Sequence, residues 1–163
     1  MHLSFIRKCA RALSGQRVYA EKPNRKGQNV SVIGAMSLNG LMTQWSALGA
    51  VDTLTFDAFI AQKLVPQLWS GAVVIMANCS IHKSAELEAL ITAAGARLIY
   101  LPPYSPDFSP IENGWSKIKS ILRRIGARTY PDLLTALDNA FAEITKQDCL
   151  SWFTHCCYCT SED

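Results

Sequence analysis

Two hydrophobic periods run through the chain and predict its elements. Gln16 to Glu21 fits a short strand, and the basic, turn-rich Lys22-Pro23-Asn24-Arg25-Lys26-Gly27 follows it. Val30, Val32 and Ile33 lead into Ala35-Met36-Ser37-Leu38, which reads as a buried strand. Asn39-Gly40 predicts a type I′ hairpin turn, with Leu41 to Leu48 returning. The period then becomes helical. Asp52 or Thr53 caps a helix whose apolar positions are Leu54, Phe56, Phe59, Ile60, Leu64 and Leu68, stopped by Gly71. Ala72-Val73-Val74-Ile75-Met76 reads as a strand buried on both faces. Ser84 caps a helix with Leu87, Leu90 and Ile91 on one side and Gly95 at its end, and Arg97 to Leu101 is another buried strand. Four prolines keep Pro102 to Pro110 out of regular structure. Helices follow from Pro110 to about Ile125 and from Pro131 through Ala142, with a last short one capped by Asp148. The order predicts an α/β fold, a mixed sheet flanked by helices.

Length and composition narrow this picture. At 163 residues the chain is long enough for one well-buried core. No apolar run reaches the length of a membrane span, and Met1 to Arg11 lacks the apolar core of a secretory signal. The expected compartment is the cytoplasm, with reduced thiols. The six cysteines include Cys156, Cys157 and Cys159 near the C-terminus, but their spacing is not that of a zinc site. Net charge is +3, and its distribution says more. Arg7, Lys8, Arg11, Arg17, Lys22, Arg25 and Lys26 face Glu21 alone, and a second basic stretch holds Lys117, Lys119, Arg123, Arg124 and Arg128. Such clusters suit a phosphate backbone, although solvated basic faces would give the same composition.

The candidate chemistry lies in three segments. A buried strand ending at Met76 runs into Ala77-Asn78-Cys79-Ser80-Ile81-His82-Lys83. A second strand opens into Leu101-Pro102-Pro103-Tyr104-Ser105-Pro106-Asp107, and a helix then begins Pro110-Ile111-Glu112-Asn113. Groups at the carboxyl ends of parallel strands and at a neighbouring helix N-terminus can converge on one crevice.

From about Gln28 to Arg124 the chain resembles the DDE transposases of the mariner-like superfamily, particularly the bacterial insertion-sequence branch, with weaker likeness to about Phe153. The most specific element is LPPYSPDFSPIEN, Leu101 to Asn113. Asn78, Ser80, His82 and Lys83 stand where the family has Asn, Ser and His-Lys after its strand. The family's second catalytic Asp falls on Ala77 and its third carboxylate on Glu112, at the separation usual for the group. The resemblance implies a ribonuclease-H-like fold. In that fold three carboxylates hold two Mg²⁺ ions, which activate the attacking oxygen and stabilise the leaving one during DNA cleavage and strand transfer.

The departures carry equal weight. Met1 to Ala12 contains no carboxylate, so the resemblance implies that the first Asp and its central strand lie outside this chain. Ala77 offers a methyl group where a metal ligand is needed. Removal of a central strand leaves open strand edges and an unfilled core, which favours pairing with another chain. The paired helix-turn-helix units that read transposon ends are also outside the chain.

The resemblance makes Glu112 the sole retained catalytic carboxylate and the metal ligand for any Mg²⁺. The same Ser109-Pro110-Ile111-Glu112 also fits a helix capping box, and one rotamer cannot serve both roles. Asn78, His82 and Asn113 are candidates to orient metal ligands, or simply to satisfy nearby backbone. Arg17, Lys22, Arg25, Lys26, Lys83, Lys117 and Arg124 are candidate DNA contacts. Asp107 shapes the turn, and the four tryptophans Trp45, Trp69, Trp115 and Trp152 anchor the core. The expected organisation is a basic N-terminal remnant over 1–27, a DDE-type core over 28–155 and a disordered Cys-rich tail over 156–163. The expected activity is that of a DNA transposase catalytic-domain fragment, defective alone. The alternative is a non-catalytic nucleic-acid-binding or inhibitory fragment acting on an intact transposase. Expected partners are DNA and either a second copy or an intact transposase, with no membrane.

Overall fold

A computed structural model describes residues 1, 3, 5, 9–19 and 27–158. The strands are β1 (Val30–Ser37), β2 (Gly40–Leu48), β3 (Val73–Met76) and β4 (Arg97–Tyr100). The helices are α1 (Thr53–Phe59), α2 (Ala85–Ala93), α3 (Pro110–Ile125), α4 (Tyr130–Ala142) and α5 (Lys146–His155).

Local chemistry explains the helix ends. Asp52 and Ser84 accept hydrogen bonds from the Thr55 and Leu87 amides, which would otherwise be orphaned in the first turns of α1 and α2. Gly126, at φ +69°, ends α3 in the left-handed conformation. Helix α1 continues into a π turn (Ile60–Leu64) and a 3-10 turn (Val65–Gln67), because Pro66 cannot extend regular α-helical bonding. It therefore stops short of Leu68, and Leu54 points to solvent. Helix α4 starts at Tyr130, capped by Thr129. The expected Asp148 cap is corrected: Thr145 caps α5, and Asp148 completes a capping box from the third helical position.

Among the described residues the strands pair as two separate sheets, β1 antiparallel to β2 and β3 parallel to β4. The mixed sheet is thus present as two halves. In the hairpin, Ser37 faces Gly40 across Leu38-Asn39, and no residue but Gly40 has positive φ there. Type I′ geometry, which needs positive φ at both central residues, is excluded. Gly40, at φ +132°, and a register shift between Ala35 and Met36 accommodate the strand twist instead. Arg17 to Tyr19 form no strand, and the segment 20–26 lies outside the described residues.

Three layers result. Val30 and Val32 pack with α3 and α4, around Ile118, Leu122, Leu133 and Leu137. Ile33 and Ala35, which point to the opposite face, pack with α1 and α2 around Phe56, Ile60, Leu87 and Ile91. Gly114 lets α3 approach β1 closely: a Cβ there would come within 2.9 Å of Met36 Cε. The strands are less buried than their composition predicts. Val73 and Ile99 are exposed and most of β1 is half-buried, because each sheet is only two strands wide. Trp69 is exposed too, unlike Trp45, Trp115 and Trp152.

Candidate functional site

A cavity of about 990 Å³ opens between the two half-sheets. Its walls include the whole of β1 and β3, α1 on one face, and the first turns of α3 on the other. Ala77, at the carboxyl end of β3, and Glu112, in the first turn of α3, both line it. The two positions singled out in the sequence therefore share one cleft.

At the β3 end, the backbone of Ala77 organises the following loop. Its carbonyl accepts from the Cys79 amide (3.0 Å) and lies 2.8 Å from His82 Nδ1. The His82 ring stacks on Phe56, with centroids 4.4 Å apart, and the Tyr100 hydroxyl donates to the His82 carbonyl (2.6 Å). Burial, and then the nearby Glu88 and Asp57 carboxylates, push the Tyr100 pKa up, so the phenol keeps its proton and its donor role. Asn78 Oδ1 is buried and has no hydrogen-bond partner among the described residues. Lys83 is exposed.

Across the cavity, the loop before α3 is a single 3-10 turn (Pro106–Phe108), with Tyr104 at φ +57°. The Tyr158 hydroxyl donates to the Phe108 carbonyl (2.7 Å) and so ties this loop to the end of α5. Ser109 precedes α3 without a side-chain cap, so its box with Glu112 does not form. The Glu112 side chain is exposed, and among the described residues it makes no hydrogen bond or ion pair. Asn113 is half-buried and does not line the cavity.

The candidate DNA contacts have varied surroundings. Lys117 pairs with Asp148 at 2.5 Å, and this hydrogen bond is the main reason that the Asp148 carboxyl is held below its ordinary pKa. Arg124 pairs with Glu143 at 2.7 Å. Arg17 is exposed, and Lys22, Arg25 and Lys26 lie outside the described residues. Pattern reading missed Lys119 and Tyr158 as cavity residues. Tyr158 carries no local signal, because its partner Phe108 is distant in sequence. In the described part of the tail Cys156 is buried, while Cys157 and Tyr158 are exposed.

The two divalent cations that the resemblance implies would need several hard oxygen donors around one point of the cavity. Glu112 is the one carboxylate among the described cavity-lining residues, and Ala77 contributes no donor. Among the described residues no three His, Cys, Asp or Glu side chains gather closely enough to hold a metal ion. One carboxylate and the Asn78 amide oxygen do not fit a two-cation centre, which needs several hard, charged oxygens.

The family described as DDE superfamily endonuclease matches residues 2–134. No curated protein matches the chain. Among solved structures, the Mos1 strand transfer complex has a TM-score of 0.72 at 16% identity, covering 92% of this chain and 47% of that one. The Mos1 transposase paired-end complex with the left transposon end has a TM-score of 0.71 at 16% identity, covering 94% and 48%. The Mos1 transposase catalytic domain with raltegravir and Mg has a TM-score of 0.62 at 13% identity, covering 78% and 70%. This likeness is one of fold, and it matches the ribonuclease-H-like α/β class expected from the sequence. The chain spans about half the length of the first two solved chains.

Proposed function

Because the chain belongs to the DDE superfamily of endonucleases, we propose that it is a DNA transposase catalytic-domain fragment that binds DNA but does not cleave it alone. In this reading residues 28–155 are the catalytic core, preceded by the basic stretch 1–27 and followed by the Cys-rich tail. The observation that carries the proposal is the cavity's lone carboxylate. Glu112 and Ala77 line the same cleft, which has no second acidic side chain among the described residues. Two-metal phosphoryl chemistry cannot be organised by one carboxylate. Affinity for DNA would come from phosphate contacts by Lys83, by Arg17 and by the other basic residues of 1–27. The solved relatives, described as transposon-end and strand-transfer complexes, support DNA as the partner class.

The test uses the purified chain with a supercoiled plasmid in Mg²⁺ or Mn²⁺. Binding is expected at low salt, weakening steeply as salt rises. No nicking is expected, from either the chain as it stands or its Ala77→Asp variant. Metal-dependent nicking that disappears in Glu112→Gln would overturn the reading, as would failure to bind DNA at low salt.

A further inference from the structure

We propose that the turn closing α5 is a strap, with the Tyr158 hydroxyl as its latch, that holds the loop 102–109 leading into α3 and the first turn of that helix. The loop has little else to hold it. Pro102, Pro103 and Pro106 have no N–H to donate. The other side-chain and backbone bonds of the loop are internal: Ser105 Oγ donates to the Pro103 carbonyl, the Phe108 amide to Ser105 and the Ser109 amide to Pro106. Among the described residues, the bond from the Tyr158 hydroxyl to the Phe108 carbonyl (2.7 Å) is the one that ties the loop to a distant part of the chain. Tyr104 and Phe108 are exposed, so the largest side chains of the loop add little packing.

The strap itself is well defined. The Tyr158 amide donates to the Phe153 carbonyl and the Cys157 amide to the Thr154 carbonyl, the paired bonds of a Schellman motif. The apolar contact that accompanies such a motif is present too, since the Phe153 and Tyr158 rings meet edge-on with centroids 6.0 Å apart. Both rings line the cavity, as do Ser109, Pro110 and Ile111. Helix α5 is in turn fixed to α3 by the Lys117–Asp148 pair and by Trp152 against Gly114. The strap thus hangs from an anchored helix, and its end reaches the loop through one hydroxyl.

Strain lies on both sides of that hydroxyl. The motif puts its left-handed residue where glycine is usual, and here it is Cys157, at φ +64°. The loop carries Tyr104 at φ +57°. Non-glycine residues persist in this region where their surroundings over-determine them, and they gather at switch regions. The latch therefore works against stored strain, and a local opening relieves it. Opening frees the 3-10 turn (Pro106–Phe108) and the start of α3, where the Glu112 amide donates to the Ser109 carbonyl. Nucleic acid plays no part in this device, so it stands or falls independently of the DNA-binding reading.

Residue-resolved hydrogen exchange of the full chain tests it, read at the Phe108, Ser109 and Glu112 amides with Leu137 as the internal reference. Tyr158→Phe keeps the ring on Phe153 and removes the donor. It is expected to speed exchange about threefold at the loop and helix start, to leave Leu137 unchanged and to shift the carbonyl carbon resonance of Phe108. Cys157→Gly relieves the left-handed strain and is expected to slow the same exchange about fivefold. In the double variant the glycine is expected to lose its effect, because the turn no longer reaches the loop. Unchanged exchange in Tyr158→Phe would overturn the proposal. So would a rise that includes Leu137, which would make Tyr158 a general stabiliser, or a Cys157→Gly effect that persists undiminished without the hydroxyl.

Discussion

The two cores of the molecule are built from similar amounts of apolar side chain but close in different ways. The core under α3 and α4 holds Ile118, Leu122, Leu133 and Leu137, all nearly or wholly buried. The core under α1 and α2 is as tight at Leu87 and Ile91, yet toward the sheet it runs out into the cavity at Met76, Phe56 and Phe59. Helices satisfy their own backbone groups, so two amphipathic helices can seal a core on one β-hairpin. Strands β3 and β4 pair with each other on one side, and among the described residues no strand pairs with the opposite edge of β3. The helical core is thus sealed on all sides, whereas the core on the sheet side borders the cavity.

The contrast is broken most directly by truncation. Leu137→Ala is expected to cost about 3 kcal/mol, because a fully buried side chain leaves a cavity that its neighbours cannot fill. Met76→Ala, which removes a side chain already bordering empty space, is expected to cost about 1 kcal/mol. Urea unfolding of both variants checks this, and equal losses would mean that the cleft side is packed as tightly as the helical side.

Asp148→Ala is expected to cost about 2 kcal/mol, because it removes both the capping box of α5 and the Lys117 pair. The comparison sharpens here, because this change acts only on the helical side. The same carboxylate gives a pH signature. Its pKa is held below the ordinary 3.8 by Lys117 and then by Thr145. Its contribution is therefore present in full above about pH 4 and is lost as pH falls through the depressed folded value. Stability followed by Trp152 fluorescence should fall in that window, and Lys117→Met should flatten the fall.

The smallest effect is expected at Glu112. With its side chain exposed and its box with Ser109 unformed, Glu112→Ala should change stability by less than about 0.5 kcal/mol. A loss above about 1 kcal/mol in thermal unfolding would show that the residue caps α3 after all.

Much of this was readable in advance wherever the deciding interaction is short-range. Asp52 and Ser84 cap as their neighbours predict, since a side-chain oxygen and an amide three residues on are close in any helix start. The same rule also allowed a box at Ser109 and Glu112, the alternative to a metal-ligand role there, and that box does not form. Tyr158 holds the preceding loop from across the molecule, and Ser109 precedes α3 without capping it. Thr145 and Asp148 form the box that Ser109 and Glu112 do not. The order of the site segments was legible, and so was the absence of a side-chain donor at Ala77, which is a matter of residue identity alone. The burial of β3 was overread, because an apolar run says what a strand prefers and not what lies beside it.

The sequence by itself determined the order of the helices, the caps at Asp52 and Ser84, the superfamily and the lack of a side-chain donor at Ala77, all of which follow from residues close together in the chain. Tertiary structure alone decided that Ala77 and Glu112 border one cavity, that Lys117 is engaged by Asp148, and that the sheet stands as two halves. The reason is that strand edges and cavity walls are made by residues far apart in the chain. Their pairing depends on which segments are present to meet.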